Sequence, residues 1–119
     1  MAKSTYRETV TILSGTADKA IESQRGRQAF AQATAITIYA PATLAETITL
    51  QVSADHDPAG TLYGYHSLQR WTSTGATDVT LTAAKALLLP DVACAALNFH
   101  STGVVAADRT FIVIFSLDV

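Results

Sequence analysis

The sequence predicts an all-β fold, an antiparallel β-sandwich with little helix, most like a jelly roll and with an immunoglobulin-like topology as the alternative. The first observation is that apolar and polar residues alternate in short runs, as in strands with one buried and one solvated face. The second is that turn-forming residues separate these runs into seven or eight short strands. The length of 119 residues suits one domain, so residues 1–119 are predicted to form a single β-sandwich domain.

The beginning of the chain, residues 1–27, is predicted to be either an extended N-terminal arm or a first strand. In residues 6–13, Val10 and Ile12 alternate with threonines, which favours a strand. Gly15 follows within a Ser-Gly-Thr sequence that is typical of a turn.

The next segment is ambiguous between helix and extended chain. Residues 17–24 have small and apolar side chains at helical spacing, so one or two helical turns fit there. The Arg25-Gly26-Arg27 sequence interrupts that pattern. We expect residues 28–35 to be a strand or an extended lead into the next strand.

Residues 35–55 contain the clearest pair of predicted strands. Pro41 cannot donate a backbone hydrogen bond and is expected to end the first of them. The apolar residues of the pair alternate with polar ones and are expected to build one wall of the core. They are Ile36, Ile38, Ile48, Leu50 and Val52.

Further strands are predicted downstream at residues 68–71, 79–82, 92–101 and 110–117. Residues 83–89 contain helix formers, but they are few and precede Pro90, so an extended run or a single helical turn fits better than a stable helix. The last strand is apolar at nearly every position. This predicts burial of both its faces, one on the core and the other against a partner subunit.

The composition restricts the class of partner. Charged residues make up 15% of the chain, against about 25% in average proteins. A surface so poor in charge suits either contact with other protein or a threonine-rich solvated face. The net charge of −2 gives no reason to expect a nucleic-acid partner. Residues 1–27 carry a basic excess, which suits either a docking arm or a solvated surface.

The sequence also indicates the cellular compartment. Cys94 is the only cysteine, which excludes an intrachain disulfide, and its apolar neighbours predict a buried, inert thiol. The first residues lack the apolar core of a signal peptide. No apolar run approaches the roughly 18 residues that a membrane span needs. We therefore expect a soluble protein made in a reducing cytoplasm, with no membrane partner.

No catalytic motif is present. The Asp55-His56-Asp57 cluster could supply carboxylates to Ca²⁺, but two acids are too few for a calcium loop and a polar turn is the favoured interpretation. His56, His66 and His100 lack the paired spacing of a zinc site. No serine lies in a nucleophile elbow, and the glycines form no phosphate-binding loop. We expect no enzymatic activity, no cofactor and no metal.

Two groups of side chains are open to more than one interpretation. Trp71 is predicted to be a core anchor; the alternative is a platform for a sugar or a partner, formed with Tyr63 and Tyr65. Asp108 and Arg109 precede the last strand and are expected either to form a local ion pair or to meet a neighbouring subunit.

A series of structural motifs carries a resemblance to a known family. The motifs are an R-G-R element at 25–27, a strand ending at Ala40-Pro41, TITLQVSAD at 47–55, an aromatic strand at 68–71, a V-T-L segment at 79–83 and D-R-T-F at 108–111. In these residues the chain resembles small structural proteins encoded among the head genes of tailed bacteriophages. The loop at 57–65 is longer than in that pattern.

The resemblance implies a virion protein of the phage head, made in the host cytoplasm, and more narrowly a capsid cement or decoration protein. It implies two partners, the major capsid protein and further copies of the chain in a homodimer or homotrimer. Alternatives are a tail, head-completion or fibre component, or a carbohydrate-binding β-sandwich. The residues predicted to meet a partner are Arg25, Arg27, His56, Asp57, Tyr63, Tyr65, Asp108 and Arg109.

Overall fold

The computed structural model describes residues 3–54, 59, 61–90 and 96–118. Strands dominate these residues, and one helix interrupts them. In chain order the elements are β1 (Lys3–Ile12), β2 (Asp18–Ala20), α1 (Gln24–Gln32), β3 (Ala33–Tyr39), β4 (Ile48–Ser53), β5 (His66–Ser67), β6 (Gln69–Thr72), β7 (Gly75–Asp78), β8 (Thr80–Leu81), β9 (Ala86–Pro90), β10 (Ala96–Ser101) and β11 (Arg109–Asp118).

Two antiparallel sheets form a sandwich. The first sheet has the order β1-β11-β3-β9, and the second has the order β2-β10-β4-β5, with β8 also paired to β4. Since β5 and β8 occupy different stretches of the same edge of β4, they act as one interrupted strand. The eight strands counted in this way follow the orders 1-8-3-6 and 2-7-4-5, which is the jelly-roll arrangement. The predicted fold class is confirmed.

The core lies between the two sheets and is lined by alternate side chains of each strand. Phe111, Val113 and Phe115 of β11 are completely buried. The ring of Phe99, on β10 of the second sheet, lies 5.1 Å from the ring of Phe111, measured between centroids. This contact joins the two sheets at the centre of the core.

The strands predicted at residues 35–55 are present, but the prediction that they build one wall is wrong. Ile36 and Ile38 lie on β3 in the first sheet, whereas Ile48 and Leu50 lie on β4 in the second. Their connection crosses from one sheet to the other, so the two strands form facing walls. Alternation shows which side chains point inward and carries no information about the sheet to which a strand belongs.

Helix α1 lies where the sequence predicted extended chain. The helical turns that fitted residues 17–24 do not form, because β2 occupies 18–20 and the helix begins only at Gln24. The helix begins after Ser23, whose Oγ accepts a hydrogen bond from the Gly26 amide at 3.0 Å. Gly26 is a point of close packing: a Cβ there would lie 2.8 Å from Ile21 Cγ2. Glycine thus permits the helix instead of interrupting it. No helix among the described residues is long and apolar enough to cross a membrane.

Replacing Gly26 by alanine is expected to destabilise the fold by up to about 2 kcal/mol. Overpacking costs roughly 1–3 kcal/mol, and the better helix propensity of alanine offsets about 1 kcal/mol of that cost. The measurement is the free energy of unfolding in urea. Gly103→Ala is the matched control, because nothing lies within 4 Å of a Cβ there. Equal stability of the two variants would contradict the packing argument.

The predicted strand at residues 68–71 corresponds to β6, but the placement of Trp71 in the core is wrong. Among the described residues β6 pairs only with β7, forming a two-stranded hairpin apart from both sheets. Trp71 is 84% exposed there. The hairpin leaves the sandwich between β5 and β8, and its base is closed by a hydrogen bond from the Val79 amide to the Leu68 carbonyl at 2.8 Å. Trp71 points away from the core because no layer covers the hairpin among the described residues.

The extended alternative for residues 83–89 is confirmed from Ala86 onward, where the chain forms the edge strand β9, whereas residues 83 and 84 form a turn. Pro90 is the last residue of β9, a position where its missing N–H does little harm. Cys94, which was predicted to be buried, lies outside the described residues.

Candidate functional site

The outward side of the first sheet is the most extensive candidate surface. Directly opposed residues of antiparallel strands point to the same face, so the register defines three outward rows across β1, β11, β3 and β9. We call these twelve positions the outer face. They are Thr9-Ile112-Tyr39-Ala86, Arg7-Ile114-Thr37-Leu88 and Thr5-Ser116-Ala35-Pro90.

The outer face is apolar and hydroxylated and nearly lacks charge. Tyr39 is 48% exposed and Leu88 is 58% exposed, while Ile112 and Ile114 are half-buried between their neighbours. Arg7 is the single charged residue among the twelve positions. The cores of protein–protein interfaces have the same composition: few charged residues, with aromatic and aliphatic side chains at the centre. The outer face is therefore suited to contact with protein.

The residues predicted to meet a partner are not brought together. The guanidinium of Arg25, on α1, lies 4.9 Å from the ring centroid of Tyr6 near the start of β1. Arg109 is paired with Ile12 at the other end of that strand. Six residues of strand separate Tyr6 from Ile12, a distance of about 20 Å.

The other predicted partner residues are dispersed as well. Arg27 is half-buried on α1, Tyr63 is 63% exposed after β4, and Tyr65 is half-buried beside the second sheet. None of them belongs to the outer face. His56 and Asp57 lie outside the described residues.

Arg109 takes part in an ion pair, but its partner is Glu46 and not Asp108. Arg109 Nε donates to Glu46 Oε1 at 2.8 Å and Nη2 donates to Oε2 at 3.1 Å, the bidentate geometry that a guanidinium favours. Both side chains are nearly buried. Asp108 instead accepts a hydrogen bond from the Ser14 amide at 2.8 Å. The Arg109–Glu46 pair ties the connection between β3 and β4 to the start of β11.

This pair is expected to make stability depend on acid pH. The hydrogen bond from Arg109 holds the pKa of Glu46 below its ordinary value of 4.5. Because the folded-state pKa is lowered, the stabilisation is complete above about pH 4.5 and is lost as the pH falls through the folded-state value. We expect Glu46→Gln to lower the urea midpoint of unfolding most at pH 7 and progressively less toward pH 3.

Glu22→Gln is the control for that measurement. Glu22 pairs with Lys19 at 3.5 Å, but both side chains are largely exposed, and exposed pairs contribute little to stability. If the difference in urea midpoint between wild type and Glu46→Gln stays constant across the pH range, the pH dependence does not come from the Arg109–Glu46 pair.

No metal or cofactor site emerges within the described part of the chain. No group of three or more His, Cys, Asp or Glu side chains there could hold a metal ion. His66 lies on β5 and His100 on β10, with β4 between them. The Asp55-His56-Asp57 cluster falls outside the described residues.

Most of the outer face was missed by sequence reasoning. The signal that could have found it is the two-sided apolar pattern of residues 110–117, in which Ile112 and Ile114 alternate with buried residues. Tyr39 and Leu88 join them only through the order β11-β3-β9, which no local pattern reveals.

Comparison with known proteins places the fold. No protein-family model and no curated protein matches the sequence. The structure is similar to the SPBc2 prophage-derived protein YomS, with a TM-score of 0.64 and 11% identity over 98% of this chain and 96% of that one. It is also similar to IMPa metallopeptidase, solved in complex with T-antigen, with a TM-score of 0.50 and 12% identity over 99% of this chain but 13% of that one. The likeness at these identities concerns the fold, and the chain thus shares a β-sandwich fold with a protein of prophage origin.

Proposed function

We propose that this chain is a non-enzymatic structural protein of a phage virion, and more narrowly a capsid cement or decoration protein. It packs through the outer face against further copies of itself and binds the major capsid protein, and so stabilises the head shell. The observation that carries the proposal is the outer face, which exposes Tyr39 and Leu88 around a nearly uncharged sheet surface. The resemblance to phage head proteins and the prophage origin of YomS support the phage setting.

The size of the outer face sets the expected strength of association. Strands about 4.8 Å apart with about 3.4 Å per residue give the three rows a projected area of roughly 400 Å². A stable interface takes about 800 Å² from each partner. We therefore expect isolated copies to associate weakly into dimers or trimers, with the shell supplying the remaining contact area.

Two measurements test the proposal. Sedimentation equilibrium over a range of concentrations should show reversible dimers or trimers, and the protein should co-sediment with purified mature phage heads. A strictly monomeric protein without affinity for heads would rule it out. A tail, head-completion or fibre component would use the same kind of surface, and electron microscopy of labelled protein in the particle separates these locations.

A carbohydrate-binding module is the second candidate, favoured by the exposure of Trp71 and Tyr63. Aromatic rings on a surface offer a flat apolar platform to a sugar ring, and these two are 84% and 63% exposed. A glycan array probed with wild type and Trp71→Ala tests this candidate. Unchanged or absent binding would dismiss the aromatic platform.

A further inference from the structure

A groove of about 450 Å³ lies where the outward side of the second sheet meets β1 and the β1–β2 connection, since Thr11, Leu13 and Thr16 also line it. We call it the polar groove after the amide and carboxylate groups at its floor. Asp18 of β2, Asn98 of β10 and Gln51 of β4 line it from three adjacent strands. Tyr65 lines it from the segment that follows β4. Its volume lies within the roughly 300–1,000 Å³ that is typical of small-molecule sites.

The three polar side chains at the floor of the groove hold each other in place. Asn98 is only 5% exposed. Its Nδ2 donates to Asp18 Oδ1 and to Gln51 Oε1, both at 3.0 Å. His100 Nδ1 lies 2.7 Å from the same Asp18 oxygen. Neighbouring strands thus fix the orientation of every polar group at this floor before any ligand arrives, and such preorganisation lowers the cost of binding.

These bonds leave hydrogen-bonding groups for a ligand. Both hydrogens of Asn98 Nδ2 are used, but its Oδ1 is not used by the network. Gln51 accepts through Oε1, so its Nε2 donors are not engaged by Asn98. Asp18 uses Oδ1, so its Oδ2 remains as an acceptor. An acceptor, a donor and a carboxylate oxygen side by side match neighbouring hydroxyl groups, each of which both donates and accepts.

The charges around the groove disfavour an anionic ligand. Lys19 Nζ lies 3.5 Å from Glu22 Oε2, so Asp18 is the unbalanced charge of the lining. We propose that the polar groove binds a neutral saccharide, with Asp18, Gln51 and Asn98 bonding its hydroxyls and Tyr65 forming one wall. Trp71 is not among the described residues that line this groove, and saccharide binding here does not depend on the role in the head shell.

The test is a glycan array followed by titration calorimetry with the best-bound sugar. Wild type should bind a subset of neutral glycans. Gln51→Ala should weaken that binding at least about tenfold, because it removes the hydrogen bonds of a neutral amide to the ligand and to Asn98. Gln69→Ala is the matched control, because Gln69 lies on the exposed hairpin, and it should bind as wild type does. Trp71→Ala separates this site from the aromatic platform, because a loss of binding in that variant would assign the glycan to the hairpin.

Thermal melting establishes that each variant is folded. If Gln51→Ala fails to fold, Asp18→Asn is the alternative variant. Asp18 lies on an edge strand and the substitution keeps the shape of the side chain, so we expect a folded protein that binds the glycan more weakly. Three results would each overturn the proposal: an array without bound glycans, Gln51→Ala and Asp18→Asn variants that bind as wild type does, or a loss of binding in Trp71→Ala. Binding to phage heads by Gln51→Ala should be unaltered, so failure of this site and failure of the structural role give different results.

Discussion

Replacing Phe111 by alanine should lower the free energy of unfolding by about 3–5 kcal/mol, the cost of truncating a buried aromatic ring. Phe111 has no exposed surface and contacts Phe99 of the opposite sheet. The truncation therefore removes apolar burial and opens a cavity where the two sheets meet. Since small domains are stable by only about 5–15 kcal/mol, this is the largest loss of stability that we expect from one substitution.

Trp71→Ala is the control for that experiment, because it removes a larger ring from a position that is 84% exposed. We expect its effect to stay within about 0.5 kcal/mol, as is usual at surface sites. Urea unfolding followed by circular dichroism measures both variants. A larger loss from Trp71→Ala than from Phe111→Ala would show that the hairpin ring is covered and that the described core is misplaced.

Replacing Leu88 by glutamate should abolish self-association while leaving the monomer folded. Leu88 is 58% exposed on the edge strand β9, so the charge remains in water in the monomer. In an assembly it would be buried without a partner, and an uncompensated charge at an interface is strongly unfavourable. We expect sedimentation to show monomers at every concentration and expect binding to heads to fall at least about a hundredfold, which corresponds to roughly 2.7 kcal/mol.

Leu62→Glu is chemically the same change at a site away from the outer face. Leu62 is 75% exposed and lies in the loop at 61–65, beside Tyr63 and Tyr65, two of the residues predicted to meet a partner. We expect this variant to associate and to bind heads as wild type does. If Leu62→Glu loses binding and Leu88→Glu keeps it, the partner contacts the loop and the outer face has no role.

The fold was largely predictable because burial alternates along strands such as β3 and β11. Ile36 and Ile38 are buried as expected, and so are Ile48 and Leu50. The helix was missed because the role of Gly26 depends on its contact with residues outside the helix, and composition alone marks glycine as a breaker. Local patterns thus predict which side of a strand is apolar, but they do not predict close packing between separate elements.

The candidate surfaces were less predictable, because each is assembled from distant parts of the chain. Glu46 pairs with Arg109 across sixty-three positions, and no local pattern connects them. Trp71 was misplaced because an aromatic residue in a strand is usually buried, and only the departure of the hairpin from both sheets exposes it. Strand order, which the sequence leaves open, decides these contacts.

The position of β11 has a consequence for how the chain folds. β11 is the last strand in the chain, yet it lies between β1 and β3, and Lys3 is paired with Asp118. Until β11 has left the ribosome, β1 and β3 lack their common neighbour, and only the β3–β9 part of the first sheet can pair. Folding is slow when long loops must close before the contacts that stabilise them can form. During that time the unpaired strand edges can lead to aggregation. The yield of native protein should therefore depend on the rate of synthesis and on temperature more than the modest size of the chain would suggest.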